Sequence, residues 1–142
     1  VAVMSLIGTY QHTIDAKGRM AFPTKLRERL GVSFYVTIGL DSCLYVYSND
    51  GWDDVTAKIT MLTGEERTTA NFFLSNACQV EPDSQGRVLL PANLRKHAAL
   101  NRDVTVVGVG NRAEIWDSER YGEFSQSITG EKLSKALSGL AL

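Results

Sequence analysis

The residues best placed to do chemistry are an acid and a base four apart, Asp15 and Arg19, and the same pair at Asp83 and Arg87, 68 residues later. Each pair belongs to a longer unit: Asp-x-x-Gly-Arg, three residues, Pro, then Leu-Arg. At the same offset Gly18 meets Gly86, Pro23 meets Pro91, Leu26 meets Leu94 and Arg27 meets Arg95. An internal repeat governs every later reading of a chain. An Asp in a short loop accepts a hydrogen bond from a backbone N–H further along the turn. Glycine supplies the positive φ that other residues avoid. Asp15, Gly18, Asp83 and Gly86 therefore read as turn-bracing residues. An Arg four places after the Asp has two readings, a salt-bridge staple within the loop or a phosphate contact that the Asp holds in place. Both stand for Arg19, and Arg87 leans to the staple. Lys17, replaced by Gln85 in the second copy, has no structural task and reads as a binding residue.

Catalytic chemistry has little to build on. His12 and His97 share no metal-ligand spacing. No nucleophile elbow, Walker loop or dinucleotide fingerprint occurs. Asp53-Asp54 and Glu65-Glu66 sit at expected helix termini, where the dipole favours them. No catalytic constellation can be assembled, so the chain reads as a non-enzyme without metal, cofactor or small-molecule substrate. Cys43 and Cys78 are too few for a disulfide framework and read as small buried thiols in a reducing compartment.

The elements that position the repeat follow from local pattern. Each Asp-x-x-Gly-Arg loop lies between β-prone stretches, a hairpin signature. The spacing predicts hairpins over Leu6–Phe22 and Ala77–Leu90, each followed by a short helix at Thr24–Leu30 and Ala92–Ala99, with Pro at the helix start. Strands are expected at Phe34–Gly39, Cys43–Tyr47, Val104–Val109 and Ala113–Trp116. Ser48-Asn49-Asp50 caps a helix to about Met61, and Thr63-Gly64-Glu65-Glu66 caps a second that carries Phe72 and Phe73. Those aromatics read as core or subunit interface. Asp117-Ser118 caps a helix to about Ile128, and the tail is either a marginal helix over Glu131–Leu137 or disordered. Each half thus reads β-β-α-β-β-α, an α+β fold, with 1–76 as one repeat and 77–142 as the other. A 68-residue unit buries little core alone, so the halves are expected to share one. Val1–Ser5 reads as an added remnant or an upstream start, with Met4 the native first residue. The N-terminus has no signal-peptide pattern, and no apolar run approaches a membrane span.

The net charge of −1 argues mildly against a nucleic-acid partner, but distribution matters more than the total. Between Asp15 and Arg29 stand Lys17, Arg19, Lys25, Arg27 and Arg29 against only Asp15 and Glu28. Between Asp41 and Glu66 six acids face the single Lys58. The first motif is basic and the connecting region acidic. That polarity makes Lys17, Arg19, Arg27 and Arg29 the candidate DNA contacts, with Arg87 the second-copy counterpart.

Two Asp-x-x-x-Arg loops, each followed by Pro-x-x-Leu-Arg, resemble the MraZ family of bacterial transcriptional regulators in the AbrB-like swapped-hairpin superfamily. The opening Gly8-Thr9-Tyr10-Gln11-His12-Thr13-Ile14-Asp15 is similar to that family's usual start, and the resemblance runs from Leu6 to about Ile128. It implies a swapped-hairpin β-barrel with peripheral helices. It also implies a cytoplasmic, nucleoid-associated protein that binds double-stranded DNA and assembles into a homo-oligomer ring. The implied target is the promoter of the division and cell-wall gene cluster, which includes its own gene. A ring has head-to-tail interfaces, so its DNA should carry direct repeats. The competing reading is a ring-forming structural or interaction protein without direct DNA binding. Salt dependence of DNA affinity separates the two.

Overall fold

The computed structural model describes residues 5–142; the expectation about Met4 lies outside them. The fold is mixed α+β, with eight strands and six helices among the described residues. The first half contains β1 (Leu6–Thr13), β2 (Arg19–Ala21), α1 (Thr24–Leu30), β3 (Phe34–Ile38), β4 (Leu44–Tyr47), α2 (Asn49–Thr60) and α3 (Gly64–Ser75). The second contains β5 (Cys78–Val80), β6 (Arg87–Leu89), α4 (Ala92–His97), β7 (Asp103–Gly110), β8 (Ala113–Asp117), α5 (Ser118–Ser127) and α6 (Gly130–Leu137). Each half therefore carries two helices after its last strand, one more than the expected repeat. The tail forms the helical alternative, capped by Thr129, whose side chain accepts from the Lys132 N–H.

Both expected hairpins are shorter than their sequences suggest. Around Asp15 the two arms meet only at the Ile14–Met20 bridge and then part. β1 instead pairs antiparallel with β7 along its whole length, from Leu6 opposite Gly110 to Thr13 opposite Asp103. β5 pairs with β3. The released arms β2 and β6 pair with each other, Met20 opposite Val88 at the centre. Backbone bonds continue that ladder at both ends: the Phe22 N–H donates to Gly86 O at 3.0 Å and the Leu90 N–H to Gly18 O at 2.8 Å. The long sheet runs β1-β7-β8-β4-β3-β5, so the strands of the two halves are interleaved, with β7–β8 lying between β1 and β4–β3.

The cause is burial. On one sheet face Val104, Val106, Ile115, Leu44, Val46, Phe34 and Val36 are fully buried. They need a lid, and neither half alone supplies one. The lid is the β2–β6 ladder with α1 and α4, which contribute Met20, Val88, Leu90, Leu26 and Leu94 to the same core. Burying such side chains is worth about 1.5–3 kcal/mol each, enough to favour exchanging the arms over closing two small hairpins. The opposite sheet face is covered at one end by α2 and α3, where Trp52 stacks on Tyr35 and on Phe73. At the other end α5 packs Tyr121 and Phe124 onto Trp116. Phe73 thus packs as expected, whereas Phe72 is exposed. Cys43 lies buried in this second core, where burial pushes its thiol up to about 12; Cys78 is half-buried and also free.

Candidate nucleic-acid interface

The Asp15 loop is a turn built on its own carboxylate. The Gly18 N–H donates to Asp15 O at 3.0 Å, and the Asp15 N–H to Arg19 O at 2.9 Å. Asp15 Oδ1 accepts from the backbone N–H groups of Lys17 and Arg19, both at 2.9 Å. Its Oδ2 accepts from Arg19 Nε at 3.0 Å. The second copy repeats each bond: Asp83 Oδ1 accepts from Gln85 and Arg87 N–H at 2.9 Å, and Oδ2 from Arg87 Nε at 3.2 Å. The backbone N–H groups of Arg19 and Arg87 do most to hold these two carboxyls below the ordinary aspartate value, helped by the side-chain bonds. Both turns are thereby fixed as anionic braces at neutral pH.

The two readings of Arg19 coexist in this geometry. Its Nε is stapled to Asp15, while its terminal Nη groups have no partner among the described residues. Arg87 is held the same way by Asp83. A guanidinium gripped at Nε presents its outer edge in a fixed direction, the arrangement that suits a phosphate. Both arginines also line one open groove of about 730 Å³, whose wall includes His12, Asp15, Asn101 and Arg102. The ladder between β2 and β6 brings Arg87 to the first turn, since it stands opposite Ala21. Burial lowers the His12 pKa from its ordinary value, which disfavours the charged ring.

The remaining candidates separate. Lys17 is exposed at the tip of the first turn, and Arg29 is exposed in the last turn of α1. Neither ammonium nor guanidinium has a hydrogen-bond or ion-pair partner among the described residues, and neither lines the groove. Arg27 is half-buried and turned back: its Nε donates to Phe22 O at 3.1 Å and its Nη2 to Thr24 Oγ1 at 3.1 Å. Arg95 does the same in the second copy, donating from Nε to Leu90 O at 2.9 Å. Gly18 and Gly86 adopt φ of 87° and 76°, which makes glycine the right residue for both turns.

Arg102 was not among the residues singled out from the sequence. No local pattern marks it, because it comes to the first turn through pairing of β1 with β7 across the whole chain. The Ile14 N–H donates to its carbonyl at 2.8 Å.

A family model described as "MraZ protein, putative antitoxin-like" matches residues 5–72 and again residues 73–141. A protein of Thermoanaerobacter sp. (strain X514) named "Transcriptional regulator MraZ" is 45% identical over 140 residues, covering 95% of this chain and 98% of the relative. One of the same name from Caldanaerobacter subterraneus subsp. tengcongensis is 46% identical over 137 residues, covering 93% and 96%. Another, from Acetivibrio thermocellus, is 40% identical over 140 residues, covering 95% and 98%.

Proposed function

The chain belongs to the MraZ family, and from that premise we propose that it is a transcriptional regulator that binds double-stranded DNA and is not an enzyme. The observation that carries this reading is the shared groove: two arginines from separate repeats, each locked at Nε by its own aspartate, line one opening. Phosphate contacts of this kind position a protein on DNA, and base-edge contacts then specify the sequence. Lys17 and Arg19 act as the main contacts of the first copy, and Arg87 joins them from the second. Arg29 meets a flanking phosphate. Arg27 supports the turn from behind, given how its donors are used.

One subunit offers few contacts, so specific binding needs several subunits acting together. The assembly is a homo-oligomer ring, and the target is a set of direct repeats in the promoter of the division and cell-wall cluster, its own gene included. The protein works in the cytoplasm, associated with the nucleoid; no helix among the described residues is long and apolar enough to cross a membrane. The exchange of β2 and β6 between residues 1–76 and 77–142 is the interlock of a swapped-hairpin barrel formed within one chain.

A mobility-shift titration on the duplex upstream of the protein's own gene, run at several salt concentrations, tests the reading. Retardation that weakens steeply with salt is expected. No retardation at low salt would favour the structural ring without DNA.

A further inference from the structure

A second groove lies beside the second turn, walled by α1 in place of the first groove's β2 side, and the two differ in charge. The second, of about 520 Å³, is lined by Arg27 with three carboxylates, Glu28, Glu81 and Asp83. The first has three arginines, Arg19, Arg87 and Arg102, with the single carboxylate of Asp15. Both grooves sit against an Asp-x-x-Gly-Arg turn of near-identical geometry, so the turn does not set the difference. The flanking residues do.

At the repeat offset Thr13 corresponds to Glu81, Ile14 to Pro82 and Arg102 to Phe34. Glu81 brings a negative charge next to the second turn where Thr13 brings none. Pro82 has no N–H, so the second copy cannot make the bond by which Ile14 ties the Arg102 carbonyl to the first turn. Phe34 is fully buried in the core, whereas Arg102 is exposed, and its guanidinium has no partner among the described residues. A side chain that is neither buried nor bonded has no folding task, yet its backbone is pinned one residue from Asp15.

We infer that the first groove is a seat for a single phosphate of the DNA backbone, completed by Arg102 together with Arg19 and Arg87, and that the acidic groove at Glu81 and Asp83 rejects phosphate. This rests on the proposed DNA-binding function and names which side of the repeat the backbone occupies. Three arginines lining one opening suit a phosphodiester, whose charge they share without reading sequence. The acidic groove gives the chain a polarity: the backbone sits against the first turn, where Arg87 joins it from the second motif, and not against the groove at Glu81.

The test compares Arg102→Ala, Arg102→Lys and Arg19→Ala with the parent by fluorescence anisotropy. Two duplexes are used, one from upstream of the protein's own gene and one of unrelated sequence. Losing one phosphate contact should lower the slope of log affinity against log salt by about 0.9. Arg102→Ala should show that loss on both duplexes, and Arg102→Lys should regain most of it. Because the Arg102 side chain is exposed, its removal should leave the melting temperature unchanged. A parental slope for Arg102→Ala beside a reduced one for Arg19→Ala would overturn the seat while leaving DNA binding intact. A loss confined to the upstream duplex would overturn the backbone assignment, since it would mean a base contact. Parental behaviour by both alanine variants would overturn the DNA-binding reading and the seat with it.

Discussion

The guanidinium of Arg95 occupies the space that a side chain on Gly18 would need. A Cβ at Gly18 would stand 2.7 Å from Arg95 Nε and 2.8 Å from Leu90 O. The relation is reciprocal, since a Cβ at Gly86 would stand 2.8 Å from Arg27 Nη2. Each repeat thus braces the other's turn with the Arg of its Pro-x-x-Leu-Arg segment. That arginine is fixed in turn by the carbonyl just before its own proline. Each turn is thus packed against an arginine of the other repeat.

Gly18→Ala should consequently be far costlier than an ordinary glycine replacement. The positive φ alone costs Ala about 1 kcal/mol, and the Leu90 carbonyl cannot swing aside as a side chain can. Gly64→Ala is the control: its φ is 62°, but nothing lies within 4 Å of the new Cβ. Urea unfolding should show a loss of about 1 kcal/mol for Gly64→Ala and at least about twice that for Gly18→Ala. Equal losses would mean that the contact with Leu90 and Arg95 is relieved easily.

Removing Asp15 separates bracing from plain electrostatics. By charge alone, Asp15→Ala takes an acid from beside DNA and should tighten binding. If the carboxylate instead orients Arg19 and shapes the loop through three bonds, binding weakens, roughly tenfold for a lost directed contact. Anisotropy titrations at fixed salt decide the sign. Tighter binding with an unchanged circular dichroism spectrum would end the bracing role. The same change at Asp83 should lower the melting temperature and affect DNA affinity less.

The two carboxyls also predict a pH window. Both folded-state values lie below the ordinary 3.8, chiefly through the backbone N–H groups of Arg19 and Arg87. A group with a depressed folded pKa stabilises the fold fully above its unfolded value and loses that contribution as pH falls through the folded one. The turns should therefore stay closed at pH 5 and open only below about 3.8, the unperturbed value. Carbon-detected NMR titration of the Asp15 and Asp83 carboxyls should give midpoints under 3.8. A midpoint at or above it for either residue would show that its bonds do not persist in solution.

Local structure was largely legible in the sequence because it has local causes. Pro23 and Pro91 start α1 and α4, Ser48 caps α2 through the Gly51 N–H at 3.1 Å, and the Asp-x-x-Gly-Arg turns form where the motif stands. The partners of the strands were not legible. The alternation of β1 says that one face is partly covered, at Tyr10 and His12, but nothing in it distinguishes β2 from β7 as the neighbour. The candidate site divides the same way: Asp15 and Arg19 bond over four residues, so their pairing could be read. Arg102 and the inward turn of Arg27 depend on contacts across the repeat.

That interleaving bears on whether either half can exist alone. Residues 77–142 would leave β6 without β2, β5 without β3, β7 without β1 and β8 without β4. Unpaired edges and half a core do not fold as a monomer. The isolated segment should be unfolded by circular dichroism or should dimerise to replace the missing strands. Mixing it with residues 1–76 should restore the native spectrum. A stably folded monomeric 77–142 would show that the halves are independent domains.

The last prediction joins the single-sided groove to operator layout. If each chain meets the backbone at the groove beside its first turn, a ring presents identical contacts that all point the same way around its rim, because cyclic interfaces are head-to-tail. The matching DNA carries direct repeats, not a palindrome. Successive repeats should fall about one helical turn apart, roughly 10–10.5 bp, so that each offers the same groove to the ring. Inserting half a turn between two repeats rotates one of them to the far side of the duplex. Binding should then fall nearly as far as when that repeat is deleted, since avidity disappears when geometry forbids simultaneous engagement. Inserting a full turn should restore most of it, limited by how far the rim can stretch. Shift assays on half-turn, full-turn and inverted-repeat operators supply the comparison. Equal affinity for half-turn and full-turn inserts, or a preference for the inverted repeat, would rule out a ring reading direct repeats.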